Sequence, residues 1–513
     1  MLDKETGNAK ARIFLGIEKV FHSIKSFYGP SPSFSPSSSY ADHQTYTIVS
    51  SLSLPDPYEN IGLDFIKSLT SKVYNKYLDG TTTALFFLYY FLKEGLAVVD
   101  EGTSCYKLTL SLREAEKIFL RNLLKYTLPV KDVSKIKGLI LSAISNNRIS
   151  DHICSALFYA GIEGLIWLSE SEESEIMVYP GLKIEIGAAS LYRGTQTEKF
   201  TRIRKPKIFV TDKRITTVLQ FLPLLKQISE RDEHLVIFCY DIDKDALATL
   251  TINCLEGLLR VTVIKLIDNP DLDEFLFEDI AISTGTSIYS QGFSPSSVSI
   301  HYSSLGNCEY IEISSEEIVI IDGHHLPEVL ELKIRQLEQS EDIANTKSLN
   351  KKRKTRLQGL IAIIPIKKEE RKAYTLALRT LYSSLRHGYI PGGGAGLFYA
   401  ALDIQEDLAI TREEKAALQI IKTACQAPIS QLAYNLGLEG TMVTDKLRNI
   451  ATPSLGLNIV SRQIEDLIAS HILDPLEKMQ DIFSFSLDTA IQILSSNVVI
   501  YKENKIEDEF QGS

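Results

Sequence analysis

The chain is poor in the features that mark several large protein classes. Its six cysteines (Cys105, Cys154, Cys239, Cys254, Cys308, Cys425) are scattered with no CxxC pair. That excludes a disulfide framework and a thiolate metal site. Several lie in apolar runs such as Val236-Ile237-Phe238-Cys239, so they read as reduced core residues of a cytoplasmic protein. There is no excess of positive charge: Lys and Arg total 55 against 65 Asp and Glu, a net −10. Nucleic acid is therefore excluded as a main partner, because phosphate binding needs a positive surface. The one basic run, Lys351-Lys352-Arg353-Lys354, reads as the solvated end of a charged helix rather than a targeting patch. Glu331, Glu338, Glu341 and Asp342 supply the opposing charge. Long apolar runs are missing too. The stretch Ala84 to Leu92 stops at Lys93-Glu94, short of the ~20 residues a bilayer span requires. The opening Met1-Leu2-Asp3-Lys4-Glu5 has no apolar signal region, and no membrane partner is expected. There is no G-x-x-x-x-G-K-[ST] loop and no kinase catalytic-loop signature. Between Arg371 and Leu402 there is no Asp or Glu at all.

What is present is an ordinary globular composition, 44% hydrophobic and 23% charged, spread over 513 residues. That length calls for two to four domains. Two short segments carry chemistry. Asp79-Gly80-Thr81-Thr82-Thr83 precedes the apolar run Ala84-Leu85-Phe86-Phe87-Leu88, which places the threonines at a helix N-terminus, where anions bind. The glycine lets backbone N–H groups approach a polyphosphate, the hydroxyls donate, and the carboxylate suits a metal. The second segment is Gly392-Gly393-Gly394. Each alone has a plainer reading: an Asp-Gly turn, a flexible linker, or Asp79 as a simple helix N-cap.

Periodicity orders the rest. Ile13, Ile17, Val20, Phe21 and Ile24 share one helical face, and the helix should stop at Gly29-Pro30. Ser31 to Ser39 reads as a serine–proline loop. Helical patterns continue to about Lys125 and change near Pro129 and again near Gly181. Short β-branched runs then alternate with helices: Ile208-Phe209-Val210, Leu235 to Phe238, Val261 to Ile264 and Ile318 to Ile321. Ile215, Val218, Leu219, Leu222 and Leu225 form one stripe of a predicted helix, and Phe221, Leu224 and Ile228 a second. Such a helix is either sandwiched between layers or partly exposed. Charged helix dominates Leu326 to Leu357, strand-like Leu360 to Ile364 follows, and Ala373 to about Ser495 is mostly helical. The order is nested, an α/β domain inserted into a discontinuous helical one.

The pairing of the two glycine segments resembles the group I chaperonins, the GroEL-like family, and the resemblance runs the length of the chain. Asn60-Ile61-Gly62, Leu222-Pro223-Leu224-Leu225, Asp245 to Leu250 and Ile472-Leu473-Asp474-Pro475 stand at family positions. The resemblance implies a multidomain α+β and α/β fold. A helical equatorial nucleotide domain would comprise 1–125 and 387–513, an intermediate domain 126–180 and 355–386, and an apical polypeptide-binding domain 181–354. Hinges would lie at Pro129 with Gly388 and at Gly181 with Gly359.

It also implies ATP with Mg²⁺. Phosphate would meet Phe27, Tyr28, Gly29, Pro30, His43, Asp79, Gly80, Thr81, Thr82, Thr83 and Gly393. Adenine and ribose would meet Asn458, Ile459, Val460 and Asp474, and Asp79 would hold the metal. His43 stands where the family has a phosphate-contacting lysine, Gln44 where it has the adjacent aspartate, and Leu376 where it has the catalytic aspartate. Leucine can neither accept a proton nor orient a water, so hydrolysis is expected to be slow or lost.

Tyr192, Leu222, Leu225, Leu247, Thr251, Ile252 and Asn253 match a groove for non-native polypeptides and for a co-chaperonin. Thr251 replaces an apolar residue there, and Ala188 and Arg193 replace aromatics. The expected function is a folding chaperone in homo-oligomeric rings. The alternative is an ATPase-deficient paralogue acting as a binding or regulatory protein, alone or in mixed rings. Ring closure would use Val498-Val499-Ile500-Tyr501 and a partner hairpin in the serine–proline segment.

Overall fold

The computed structural model describes residues 6–29, 42–131, 133–161, 164–170, 175–185, 191–192, 201–267, 275–290, 300–313, 317–339, 347–405 and 411–496. The chain divides into two compact units, residues 1–154 with 369–513, and residues 155–368 inserted between them. The expected serine–proline loop and the strand at Val498–Tyr501 lie outside the described residues.

The first unit begins with helices α1 (Thr6–Ile24), α2 (Asp42–Ser51), α3 (Pro57–Tyr77), α4 (Thr81–Asp100), α5 (Cys105–Lys125), α6 (Val133–Ile144) and α7 (Asn147–Ala160), the last crossing into the second unit. Local chemistry sets the start of α3. Pro57 opens it and the Asp56 carboxylate accepts from the N–H groups of Tyr58 and Glu59, at 2.9 and 3.0 Å. Its end is a left-handed Leu78, φ 57°. Helix α4 is apolar on nearly every side, with Leu85, Phe86, Phe87, Leu88, Phe91 and Leu92 all fully buried. By length and composition it could cross a bilayer, yet here those side chains form the core of the unit together with Ile17, Leu63, Phe119 and Phe483.

The second unit holds a ten-stranded sheet. Its strands are β1 (Leu165–Glu170), β2 (Met177–Glu185), β3 (Leu191–Tyr192), β4 (Thr201–Arg204), β5 (Lys207–Ile215), β6 (His234–Ile242), β7 (Arg260–Lys265), β8 (Gly306–Ile313), β9 (Glu317–Gly323) and β10 (Leu360–Ile366). They run β1-β10-β2-β9-β8-β5-β6-β7-β3, with β4 paired to β8. Helices α8 (Leu222–Glu230) and α9 (Lys244–Leu255) cross over between the parallel strands β5, β6 and β7. Residues alternate between the sheet's two faces as the pleat requires. Ile208, Val210, Val236 and Phe238 pack on one side, and Phe209, Leu235, Ile237 and Val263 pack under α8 and α9 on the other. The predicted helix from Ile215 is shorter than its periodicity suggested. Ile215 ends β5, Leu219–Phe221 is a 3₁₀ turn, and α8 starts only at Leu222.

Three further helices complete this unit: α10 (Leu276–Thr284), α11 (Pro327–Gln339) and α12 (Lys347–Leu357). Here the reading of the basic run needs correction. Lys354 does pair with Glu338, at 2.7 Å, but Arg353 and Arg356 are buried, not solvated. Both reach Asp279 of α10, at 2.7 Å each, and Arg353 also reaches Glu278 at 2.7 Å. The guanidiniums are the counter-charges without which Asp279, wholly buried, could not stay ionised.

The chain then returns to the first unit through α13 (Arg371–His387), β11 (Tyr389–Pro391), α14 (Ala395–Leu402), α15 (Arg412–Asn435), α16 (Gly440–Ile450), β12 (Leu455–Asn458), β13 (Gln463–Asp466), β14 (Leu473–Pro475) and α17 (Leu476–Ser495). Helices α15 and α17 pack on α4. The residues of each expected hinge pair lie side by side. Leu128 and Tyr389 exchange backbone hydrogen bonds of 2.8 and 2.9 Å next to Pro129 and Gly388, and the Gly181 N–H donates to the Gly359 carbonyl at 2.9 Å. Gly388, φ 84°, has no room for a Cβ against the Leu128 carbonyl.

The Asp279 network yields a stability prediction. Trp167 of β1 is the single tryptophan, so its fluorescence reports on the inserted unit alone. Arg353→Met should lower that unit's unfolding free energy by about 1.5–3 kcal/mol, the usual worth of hydrogen bonds to a charged group, since Arg356 still faces Asp279. An unchanged denaturation midpoint in the Trp167 signal would show the network to be energetically neutral.

Candidate functional site

The two glycine segments are brought close by a short sheet. Strand β11 pairs antiparallel with β14, Ile390 opposite Asp474, and the Gly392 N–H donates to the Ile472 carbonyl at 2.9 Å. The Gly392–Gly394 turn is thereby held beside Asp474. Gly393 and Gly394 both take positive φ, 58° and 81°, and Gly394 is the N-cap of α14. A side chain at Gly394 would press on Pro428 and Ile429. Gly80, φ 85°, plays the same part for α4, whose first residues are Thr81, Thr82 and Thr83. The threonines therefore stand at a helix N-terminus, as their sequence context predicted. Asp79 itself is not the cap; Gly80 is.

Each oxygen of Asp79 holds one donor from the protein. Its Oδ1 accepts from the Gly80 N–H at 2.7 Å, and its Oδ2 accepts from the Lys478 ammonium at 2.5 Å. Lys478 is 7% exposed. Burial alone would favour a neutral amine, but the charges of Asp79 and Asp474 outweigh it and hold the ammonium above the ordinary lysine range. Asp474 moves upward, chiefly by burial and further through Asp79, with Lys478 opposing. The Tyr28 hydroxyl meets Thr83 and is likewise pushed up by burial, with the charges of Asp474 and Asp79 adding to it. Asp79, Asp474, Lys478, Tyr28 and Thr83 thus form one electrostatic neighbourhood at the start of α4.

The hydroxyls divide by role. Thr82 Oγ1 lies 2.9 Å from Thr45 Oγ1 of α2, so it is tied into the fold. Thr81 Oγ1 is buried without a hydrogen-bond partner. An orphaned buried hydroxyl at a helix N-terminus fits an anionic ligand well. A metal fits poorly. Each Asp79 oxygen already holds one donor, and a metal on Oδ2 would lie against the Lys478 ammonium. The expected Mg²⁺ ligation by Asp79 would therefore compete with Lys478 for the same carboxylate.

Other expected site residues are placed unevenly. Gly29, φ 96°, lies against Ile459 and Leu432, and Phe27 ends the 3₁₀ turn after α1. His43 and Gln44 lie in α2. Pro30 is outside the described residues. Asn458 and Val460 belong to the β12–β13 hairpin and its turn. The Asn458 amide donates to Glu465 at 2.5 Å and accepts from the Val460 N–H at 2.8 Å, so it stabilises the turn, while Val460 is 86% exposed. Leu376 is 6% exposed on the inner face of α13 with Ala373, Tyr374 and Ala377. It is a packing residue.

The expected groove lies over α8 and α9. Both helices cover the same sheet face, and the Ser229 hydroxyl donates to the Leu258 carbonyl at 2.8 Å. Leu222 and Ile252 are 52% and 54% exposed, and Leu219, Leu255 and Leu258 are exposed with them. Leu225 points inward and Leu247 packs partly on the core. Neither is a free groove residue, because the strip needed to cover Phe209 and Ile237 consumes that side of each helix. Thr251 Oγ1 donates to the Leu247 carbonyl at 2.7 Å, and the Asn253 amide donates to the Thr249 carbonyl at 2.7 Å. Hydroxyl and amide are thus satisfied within the helix. Tyr192 belongs to β3, opposite Val263 of β7; Ala188 and Arg193 are outside the described residues.

Sequence reasoning passed over Lys478. A signal existed: a lysine in the first turn of a helix opposes the macrodipole, and it stands in Leu476-Glu477-Lys478-Met479 directly before an apolar residue.

Comparison with known proteins agrees with the fold. The chain is similar to chaperonin GroEL 3 of Protochlamydia amoebophila (strain UWE25), 27% identical over 477 residues, covering 90% of this chain and 89% of that one. Its fold is similar to that of the chaperonin gp146 from the bacteriophage EL 2 (Pseudomonas aeruginosa), solved in the presence of ATP-BeFx, with a TM-score of 0.70 and 16% identity, covering 98% of this chain and 99% of that chain. Residues 42–504 match the TCP-1/cpn60 chaperonin family, and with most of its length so matched the chain belongs to that family.

Proposed function

We propose that this chain is a chaperonin subunit that captures non-native polypeptide on the α8–α9 surface and binds ATP at the N-terminus of α4, with hydrolysis slow or absent. Chaperonins bind non-native polypeptides and form oligomeric rings, and family membership supports a role in protein folding. The observation that carries the ATP reading is the buried, unpartnered Thr81 hydroxyl at a glycine-capped helix start, two residues from the Asp79 that holds the Lys478 ammonium. Thr81 and Lys478 would hold phosphate oxygens, and the backbone at Gly80 would approach them closely.

Slow hydrolysis rests on Leu376. It is packed within α13, and no carboxylate occurs between Arg371 and Leu402 to orient a water. The same feature favours a second reading, an ATPase-deficient subunit that binds or regulates within mixed rings. All six cysteines are free, which supports a reducing cytoplasmic compartment.

Two outcomes test these readings. Thr81→Val, which keeps the shape but removes the hydroxyl, should weaken ATP binding about tenfold without changing thermal stability; calorimetric titration showing equal affinity would remove ATP from this site. Phosphate release at saturating ATP should run about 10²-fold or more below a chaperonin with its catalytic carboxylate, and Leu376→Asp should raise it. Turnover at full family rate in the unaltered chain would refute the hydrolysis reading.

Client capture is tested separately. The double variant Leu222→Ser/Ile252→Ser changes two solvent-facing side chains, so the fold should persist while binding of a chemically unfolded model protein falls several-fold through lost apolar contact area. Equal capture by the folded variant would move the binding surface elsewhere.

A further inference from the structure

Lys478 stands on α17, 399 residues along the chain from the carboxylate it pairs with. Three features make it more than a structural counter-ion. Its ammonium is almost wholly buried, yet its single hydrogen bond among the described residues goes to Asp79, leaving two of its three N–H donors without a protein acceptor. Buried donors of this kind are rare unless a ligand or water completes them. Close by, Thr81 Oγ1 is a second buried polar group with no partner. Finally, each Asp79 oxygen already holds one donor, Oδ1 the Gly80 N–H and Oδ2 the Lys478 ammonium. A divalent ion on Oδ2 would sit against the buried ammonium, and the two like charges would repel at close range.

The geometry points to Lys478 as a resident cation that takes the place of a divalent metal at Asp79 and donates directly to the nucleotide phosphates, so that ATP binds this chain without Mg²⁺. The inference rests on the reading of this site as the ATP pocket. A lysine is a compact point charge with three donors. One donor is held by Asp79, which fixes the ammonium in position, and the remaining two meet phosphate oxygens together with the Thr81 hydroxyl and the first N–H groups of α4. Asp474, whose charge also acts on Lys478, helps retain the proton while the site is empty of anion.

The experiment is calorimetric titration of the full chain with ATP, once with excess Mg²⁺ and once with EDTA and no divalent ion. The unaltered chain should show the same affinity in both buffers, within about threefold. Lys478→Met, close in volume, should lose at least about tenfold in EDTA and recover on adding Mg²⁺, because Asp79 is then released to hold the metal. Because Lys478→Met leaves the half-buried Asp79 without its counter-charge, Asp79→Asn/Lys478→Met removes both charges and keeps the test open if the single variant does not fold. The double variant should bind ATP weakly in both buffers. Loss of binding by the unaltered chain in EDTA alone overturns the inference and leaves the ATP reading standing. Binding in neither buffer overturns the ATP reading itself. Full affinity in EDTA for either Lys478 variant also overturns the inference.

Discussion

Helix α4 cannot be covered by its neighbours in sequence. A helix apolar on nearly every side must be enclosed by protein, and the segment from Leu85 to Leu92 meets that need only when the two distant halves of the first unit close around it. Helices α1 and α3 cover part of α4, and α15 and α17, more than 300 residues later by the numbering of the chain, cover much of the rest. The burial that closes the helical unit also brings the start of α17 to the start of α4. Lys478 meets Asp79 there, and β14 carries Asp474 in beside the glycine turn through its pairing with β11. The candidate site is therefore built by the core's need for cover, and its geometry is as firm as that core.

The inserted unit solves a different problem. Its parallel strands β5, β6 and β7 are buried on both faces, so α8 and α9 must each give one full side to the sheet. What remains outward is set by which positions are left over. On these two helices and the flanking turns the leftover positions include Leu219, Leu222, Ile252, Leu255 and Leu258. A soluble surface does not ordinarily concentrate large aliphatic side chains in this way, and that excess is the physical basis for a polypeptide-binding role. Polar departures in the same region cost less than their side chains suggest, since Thr251 and Asn253 satisfy themselves on carbonyls four residues back.

Electrostatics shows one device used twice. Asp279 is buried and kept ionised by Arg353 and Arg356, and Asp79 is held by Lys478. The first pairing is saturated: Arg353 holds Oδ1 and Arg356 holds Oδ2, each at 2.7 Å, and it reads as scaffold. The second leaves donors over, on an ammonium next to an unpartnered hydroxyl. Spare buried hydrogen-bonding capacity distinguishes a site from a strut.

Much of this was legible in the sequence. The nested order of helical and α/β segments, the strands at Ile208, Leu235, Val261, Ile318 and Leu360, and the helix start after Asp79-Gly80 all follow from periods of two and 3.6 residues and from turn chemistry, which act over a few neighbours. Gly80 could be placed at a helix start for the same reason, whereas the helix start at Gly394 appears only in the structure. What sequence could not decide was the fate of charges and the share of each helix face. Arg353 looked solvated because its immediate neighbours are polar, yet its partner Asp279 lies 74 residues away. Leu225 fell on the same stripe as Leu222, and only the position of the sheet turned one inward and left the other in solvent. Asp79 looked like a free metal ligand until α17 delivered a lysine to it. Local periodicity determines elements, whereas the energy of a buried charge depends on whichever group the closed core happens to place beside it, and only the tertiary structure decides that.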